Sequence, residues 1–267
     1  MAAVPLTSVE RLDALVARRP LGLFSDIDGT LTPIVPRPED ARVTPKCREL
    51  LGRLAERGVR IALITGRTLE TARRMTGLER VDYAANHGMT LSIGGVEETP
   101  EAVGKYIALS GRLARELAEI QVEGVTVEHT GPNLAVHYRR ATDESAARAK
   151  IVDAIQASTA ARAFRVHEGR KVFELRPPLP INKGTALEEL VRRFGSRGIL
   201  CLGDDQTDVD MFRAVSRLRD DGIRGLNVAV LSEESPEALL DAADFTIEGV
   251  PGVEWLLGEL VKVLGER

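Results

Sequence analysis

The sequence predicts an α/β protein whose parallel-sheet core is assembled from both ends of the chain and interrupted by an inserted α+β layer. Three observations carry that expectation. Apolar runs alternate with helical segments in both the first and the last third of the chain, and strand–helix–strand order implies parallel strands joined by crossovers. Between about residues 101 and 177 the order changes to helix, strand, strand, repeated once, the pattern of hairpins backed by helices. Acids, threonines and a lysine fall where core strands empty into loops, which is where open α/β sheets hold their ligands.

Taken in order, an amphipathic helix is expected over about residues 8–19 and a buried strand over about 21–27, the latter breaking into Asp26-Ile27-Asp28-Gly29-Thr30. Pro33, Pro36 and Pro38 then stiffen a loop that can continue neither element. Thr44-Pro45 is a cap residue followed by proline in the first turn, so a helix starts there and ends at Gly58. The next buried strand runs from Val59 to Thr65 and is closed by Gly66-Arg67. A short helix over about 68–75 leads to a strand from Val81 to Ala85, ending in Asn86-His87-Gly88, and to a short alternating strand through Ile93.

The inserted segment reads as a helix through Ile120, strands at Val125–Glu128 and Leu134–Tyr138, a helix through Ala157, and strands at Phe164–Val166 and Val172–Leu175. Pro177-Pro178-Leu179-Pro180 is a hinge back to the core. A helix opens at Lys183-Gly184, a buried strand covers Ile199–Leu202, an acid-rich turn spans Gly203 to Asp208, a strand lies near Asn227–Val230, and a last helix runs through Leu264. The expected domains are therefore a discontinuous core of residues 1–100 and 178–267 and an insert of residues 101–177.

Composition narrows the function classes. A chain of 267 residues with 43% hydrophobic residues can bury a sizeable core. A net charge of −4 argues against holding nucleic acid or an acidic membrane surface through overall charge, and points to small-molecule partners. Cys47 and Cys201 are too far apart in sequence to suggest a disulfide framework or a zinc site, which fits a reducing compartment. No apolar stretch approaches membrane-spanning length, and the first residues lack a signal-peptide pattern, so a soluble, cytoplasmic chain, monomeric in the simplest case, is expected.

The chemistry-bearing residues form one constellation. Four core strand ends deliver Asp26 and Asp28; Thr65, Gly66 and Arg67; Asn86 and His87; and Asp204, Asp205 and Asp208, with Lys183 opening a helix beside them. Carboxylates without histidine or cysteine partners suit Mg²⁺, and a lysine, a threonine hydroxyl and helix N-terminal amides suit a phosphoryl group. Each part has a plainer reading on its own, since Asp-Gly is ordinary turn chemistry and most lysines are surface residues.

The order Asp-x-Asp-Gly-Thr, strand-Thr65-Gly66-Arg67, Lys183, Gly203-Asp204-Asp205-x-Thr207-Asp208 resembles the haloacid dehalogenase superfamily of phosphatases. The resemblance implies a Rossmann-like parallel-sheet core of the haloacid dehalogenase type with an inserted α+β cap. It implies Asp26 as nucleophile, forming an aspartyl-phosphate, and Asp28 as the acid and then the base. It further implies Thr65 and Lys183 as catalytic partners of the phosphoryl group. Asp26, Asp28 through its carbonyl, and Asp204 would be the Mg²⁺ ligands, with Asp205 and Asp208 behind them.

The insert resembles the cap of the trehalose-6-phosphate phosphatase family, on the strength of Asn86-His87-Gly88, Glu128, His137-Tyr138-Arg139, Gly169-Arg170-Lys171-Val172-Phe173-Glu174 and Lys183-Gly184. That likeness implies sugar contacts from Glu128 and Glu174, aided by Arg139 and Arg170, and further substrate contacts from Gly66, Arg67, Asn86 and His87. The chain departs from the family pattern at Thr130, where a lysine is usual, and at Val209, where an acid is usual. The implied reaction is hydrolysis of trehalose 6-phosphate to trehalose and phosphate. Alternatives are a phosphatase for sucrose 6-phosphate or a mannosyl- or glucosyl-3-phosphoglycerate, and a phosphoacceptor signalling module. Exposed charge on a half-buried sheet is the competing explanation for Glu128, Arg139 and Glu174.

Overall fold

The computed structural model describes residues 3–265 and has the α/β architecture expected, with one large, mainly parallel sheet and a separate antiparallel sheet. The chain divides into two compact units, one formed by residues up to Glu98 together with those from Ile181 on, the other by Thr99–Pro180.

In chain order the first part of the core unit comprises β1 (Val4–Pro5), α1 (Asp13–Val16), β2 (Leu21–Ser25), α2 (Pro45–Glu56), β3 (Arg60–Ile64), α3 (Leu69–Thr76), β4 (Asp82–Ala85), β5 (Thr90–Ile93) and β6 (Val96–Glu98). The other unit contains α4 (Glu101–Ala118), β7 (Thr126–Thr130), β8 (Asn133–His137), α5 (Glu144–Ala157), β9 (Arg165–Gly169) and β10 (Val172–Arg176). The core resumes with α6 (Lys183–Phe194), β11 (Gly198–Gly203), α7 (Val209–Asp220), β12 (Arg224–Leu231), α8 (Glu237–Ala242), β13 (Phe245–Glu248) and α9 (Gly249–Gly265).

The core sheet has the order β1-β13-β12-β11-β2-β3-β4-β5-β6, parallel from β1 through β4. Its central strands are buried on both faces, so their side chains alternate between two cores rather than between core and water. Leu23, Leu63, Leu202 and Val230 meet α1, α2, α3 and α9 on one face. Phe24, Ile64, Cys201 and Ala229 meet α6, α7 and α8 on the other. This explains why β2, β3, β11 and β12 read as near-continuous apolar runs. It also explains Cys47 and Cys201, which are free and buried, the burial raising both thiol pKa values.

Sequence reading and structure differ at several ends. Helix over 8–19 is replaced by a 3-10 turn at Val9–Leu12 and α1, which stops at Val16; Pro20 disfavours a helical conformation at Arg19, so the helix does not run on to that residue. Strand β2 ends at Ser25 rather than at residue 27, because only Asp26 N–H still pairs with the neighbouring strand, through Leu202 C=O at 3.1 Å. Three strands escape sequence reading: β1, β6 and β13 have two to four residues, too few for a period to declare itself. With β5, β6 makes an antiparallel edge on the otherwise parallel sheet. Caps behave as read: Thr44 accepts from Cys47 N–H, and Gly58 adopts the left-handed φ of +77°.

The second unit repeats helix–strand–strand, and its sheet has the antiparallel order β7-β8-β10-β9. Leu113, Leu117, Val136, Ile151, Phe173 and Leu175 form its core, so the helices cover one face. On the opposite, more exposed face Glu128 and Glu174 both pair with Ala135 of the intervening β8.

No helix among the described residues is long and apolar enough to cross a membrane. Truncating Leu63, fully buried in the centre of the core sheet, leaves a cavity between β3 and the α2 side. Leu63→Ala is expected to destabilise the core unit by about 2–5 kcal/mol, measured as the shift in denaturant midpoint at constant slope.

Candidate active site

Strands β2, β3 and β11 are adjacent in the sheet and parallel, so their carboxyl ends open on the same edge. This adjacency converges residues that lie far apart in sequence. Asp26 leaves β2, Thr65 leaves β3, Asp204 leaves β11, and Lys183 begins α6. Lys183 and Asp26 are 3% and 4% exposed. The Lys183 ammonium lies 3.0 Å from Asp26 Oδ1 and donates to Asp208 Oδ1 at 2.7 Å.

Helix α6 is placed by its first turn. Asn182 caps it, accepting from Thr185 N–H at 2.9 Å while Thr185 Oγ1 accepts from Asn182 N–H at 3.0 Å. That reciprocal pair sets the direction in which Lys183 leaves the helix. Asp208 is held from the other side, its Oδ2 accepting from the backbone N–H groups of Asp204 (2.9 Å) and Asp205 (3.1 Å). Both Asp208 oxygens are thereby engaged. Although it occupies the N-cap position of α7, its side chain makes no cap hydrogen bond there. Asp205 folds back on its own turn, accepting from Thr207 N–H and Thr207 Oγ1, both at 2.7 Å.

Among the described residues, Asp26, Asp204 and Asp208 each bring a ligand oxygen within 4.8 Å of one another, a group that could hold a metal ion. With Asp208 committed to Lys183 and two amides, Asp26 and Asp204 are the carboxylates with capacity to spare. Thr30, the last residue of the Asp-x-Asp-Gly-Thr stretch, donates to Asp204 Oδ1 at 3.0 Å and orients it. The intervening Gly29 has φ +73°, and a Cβ there would sit 1.9 Å from Asp204 Oδ2, so a side chain is excluded both by conformation and by space.

Electrostatics supports a cation at this point. Burial, reinforced by Asp208, Asp204 and Asp205, pushes the Asp26 pKa well up despite Lys183. Burial and Asp208 raise Asp204 to about 7. Burial would lower the Lys183 pKa, but Asp208, Asp26 and Asp205 outweigh it and hold the ammonium charged. One lysine therefore faces more carboxylates than it can neutralise. The donors are all oxygens, the set a hard divalent ion prefers.

Asp28 is engaged differently. Arg67 donates a bidentate fork to it, Nε to Oδ2 at 2.9 Å and Nη2 to Oδ1 at 2.8 Å. The Thr65 hydroxyl accepts from Arg67 N–H at 3.1 Å, leaving its own proton available to donate. Asn86 N–H donates to Arg67 C=O and His87 N–H to Thr65 C=O, both at 2.9 Å, tying the end of β4 to the end of β3. Asn86 and His87 take φ values of +50° and +58°, uncommon for non-glycine residues. The His87 ring packs over Gly66, where a Cβ would lie 2.8 Å from it. Asn86 is buried, and its Oδ1 has no partner.

In the other unit Glu128 accepts from His137 at 3.1 Å, and Glu174 pairs with Arg176 at 2.7 Å. Glu128 and Glu174 lie two strands apart, roughly 10 Å at the usual strand spacing. Arg139 reaches toward the Arg170 carbonyl at 3.5 Å, and both arginines are exposed.

A family model described as trehalose-phosphatase matches residues 24–243, a span that contains every residue named above as a site candidate. The chain belongs to the trehalose-phosphatase family. It is 36% identical over 255 residues to the trehalose-phosphate phosphatase of Mycobacterium avium strain 104, covering 88% of this chain and 63% of that protein. It is 31% identical over 266 residues to the trehalose-phosphate phosphatase of Mycobacterium leprae, covering 95% and 60%. The chain thus spans about three-fifths of the length of these curated relatives. The C-terminal domain of the trehalose-6-phosphate phosphatase of C. albicans has the same fold, with a TM-score of 0.72, 24% identity and coverage of 98% of this chain and 99% of that one. A trehalose-6-phosphate phosphatase related protein also superposes with a TM-score of 0.72, at 21% identity and with coverage of 92% and 100%.

The raised acid pKa values set a pH signature. With a folded pKa near 7 against 3.8 in the unfolded chain, Asp204 keeps its proton in the folded state over that window. Its contribution to stability therefore falls as pH rises through the window, and a bound cation reverses that loss. Added Mg²⁺ is expected to raise the melting temperature more at about pH 8 than at about pH 5.5, measured calorimetrically. An equal shift at both values would contradict the arrangement.

Proposed function

We propose that this chain is a phosphatase that hydrolyses trehalose 6-phosphate to trehalose and phosphate through an aspartyl-phosphate on Asp26. The observation that carries the reading is the buried Lys183 bridge between Asp26 and Asp208, with Asp204 in reach, in a chain of the trehalose-phosphatase family. A small sugar phosphate is the partner in this reading, and the first residues of α6 and the turn after β11 would frame its phosphoryl group.

Asp26 attacks phosphorus, forming the carboxylate oxygen–phosphorus bond as the bond from phosphorus to the sugar oxygen breaks. An anionic nucleophile approaching an anionic ester is repelled by several kcal/mol at low dielectric, and Lys183 offsets part of that repulsion. The Thr65 hydroxyl, accepting from Arg67 N–H, has its proton to give to a phosphoryl oxygen. Mg²⁺ would be held by Asp26, Asp204 and the Asp28 carbonyl, supplying charge neutralisation and orientation of the phosphoryl group when bound. Asp208 keeps Lys183 and the Asp204 amide in position, and Asp205 shapes the turn.

Asp28 gives its proton to the departing sugar oxygen and then takes one from the water that cleaves the intermediate. Both of its oxygens are held by Arg67 in this structure, so proton transfer requires that fork to release at least one oxygen. Arg67 is thus a partner of the acid as well as a candidate substrate contact. Asn86 and His87 remain substrate candidates through the loop they form beside Thr65, and the orphaned Asn86 Oδ1 would accept from a sugar hydroxyl.

Selectivity is assigned to the inserted unit, where Glu128 and Glu174 would accept from hydroxyls of the distal glucose. Arg139 and Arg170 would add positive charge. Thr130, two residues beyond Glu128 on the same strand face, is where preference for another sugar phosphate would arise.

Asp28→Asn is expected to lower kcat by about 10²- to 10⁴-fold with the fold intact. Unchanged phosphate release would remove Asp28 from proton transfer. Glu128→Ala and Glu174→Ala are each expected to raise KM for trehalose 6-phosphate by roughly 10- to 150-fold with a small change in kcat, since a hydrogen bond to a charged group contributes about 1.5–3 kcal/mol. Phosphate release from trehalose 6-phosphate, sucrose 6-phosphate and glucosyl-3-phosphoglycerate, with and without Mg²⁺, checks the substrate. Equal rates on all three would overturn the trehalose assignment.

A further inference from the structure

The amino-terminal ends of the core strands carry a cluster of positive charge for which the phosphatase chemistry has no use. Arg18 precedes β2, Arg197 precedes β11 and Arg224 opens β12, and these three strands are neighbours in the sheet. Their backbones are stitched together: Arg197 N–H donates to Pro20 C=O at 2.9 Å, and Arg224 N–H donates to Arg197 C=O at 3.0 Å. Strand β11 runs from here to Asp204, so the cluster lies roughly 20 Å from the catalytic edge at the usual rise per residue.

Two features make this more than an arginine-rich surface. Arg18, Arg197 and Arg224 are exposed and have no carboxylate partner among the described residues, whereas nearby Arg219, Arg192 and Arg217 are paired with Asp244, Glu189 and Glu188. Two adjoining cavities of about 440 and 510 Å³, sharing Arg18, Gly222 and Ile223, lie at this cluster. Arg224 lines the first and Arg197 the second. Ser196 also lines the second, but its buried hydroxyl faces Gly22 of β2, so the polar lining open to the groove is that of the arginines.

The charge balance identifies the ligand class. Asp221 is the lining acid without an ion pair, set against three unpaired arginines. Guanidinium groups match phosphate geometry with paired N–H donors, and cavities of this volume hold small molecules. We propose that this groove binds a small, multiply charged anion of the phosphate-ester or polyphosphate class, at a site separate from the phosphatase centre. Ile223 and Leu218 offer the anion's organic part an apolar wall. The proposal does not rest on the sugar assigned above.

Inorganic pyrophosphate is a suitable probe for titration calorimetry on the metal-free chain, where uncompensated carboxylates repel anions from the catalytic edge. One saturable binding event is expected, weakened about tenfold or more in Arg18→Gln and in Arg197→Gln, with phosphate release at saturating sugar phosphate unchanged. The exposure of both side chains keeps these variants folded, which a melting curve checks. An isotherm without saturation, or one identical in wild type and both variants, would overturn the site. Sedimentation supplies a second arm: arginine variants that dissociate a dimer while leaving pyrophosphate binding intact would make this face an interface between copies and reject the anion site.

Discussion

A single buried ammonium holds the site together. Lys183 stands between Asp26 and Asp208, and none of the three would be tolerated at this depth without the others, because an uncompensated buried charge costs several kcal/mol. The geometry of that bridge depends on features spread across the core: the capping box that aims Lys183, the two amides that fix Asp208, and the parallel pairing of β2 with β11 that brings Asp26 and Asp204 side by side. One positive charge cannot balance the carboxylates around it. In the proposed mechanism this surplus of carboxylates is what a bound cation would balance, and it must be offset before an anionic ester can approach.

The fold divides its tasks between units that could change independently. In the proposed mechanism, strand ends of the core provide attack, proton transfer and charge neutralisation, functions that require side chains fixed to within fractions of an ångström by strands and helix caps. The inserted unit carries its polar candidates on the face of its four-stranded sheet opposite its own helices, where substitution alters a surface without disturbing its core. Glu128 and Glu174 flanking the small Ala135 make a shallow polar lane on that face. In the proposed reading the same chemistry could serve different sugar phosphates through changes in this lane alone.

Much of the site was legible in the sequence because short motifs at strand ends carry chemistry that the apolar runs locate. Asp26, Thr65, Lys183 and Asp204 follow from that logic, and the structure brings them to one edge of the sheet. The Arg67–Asp28 fork was not legible, since residues 39 positions apart in the loops after two strands give no spacing signal and Arg67 looked equally suited to substrate. Thr30 was in view within its motif, but its hydrogen bond to Asp204, 174 residues away, depends on sheet order. The left-handed backbone at Asn86-His87 was also hidden, since asparagine alone only permits that conformation. Among elements, the core strands with buried runs were readable, and the two- to four-residue strands β1, β6 and β13 were not, because their existence depends on a partner rather than on a pattern.

The central claim is that Asp26 is the residue that carries the phosphoryl group. Acid quenching during turnover of trehalose 6-phosphate, followed by borohydride reduction, converts an aspartyl-phosphate to homoserine, which peptide mass spectrometry locates by residue. The account predicts homoserine at position 26, at a level that rises when Asp28→Asn slows breakdown of the intermediate more than its formation. Turnover with no homoserine at position 26, or with homoserine at Asp28 or Asp204 instead, would contradict it.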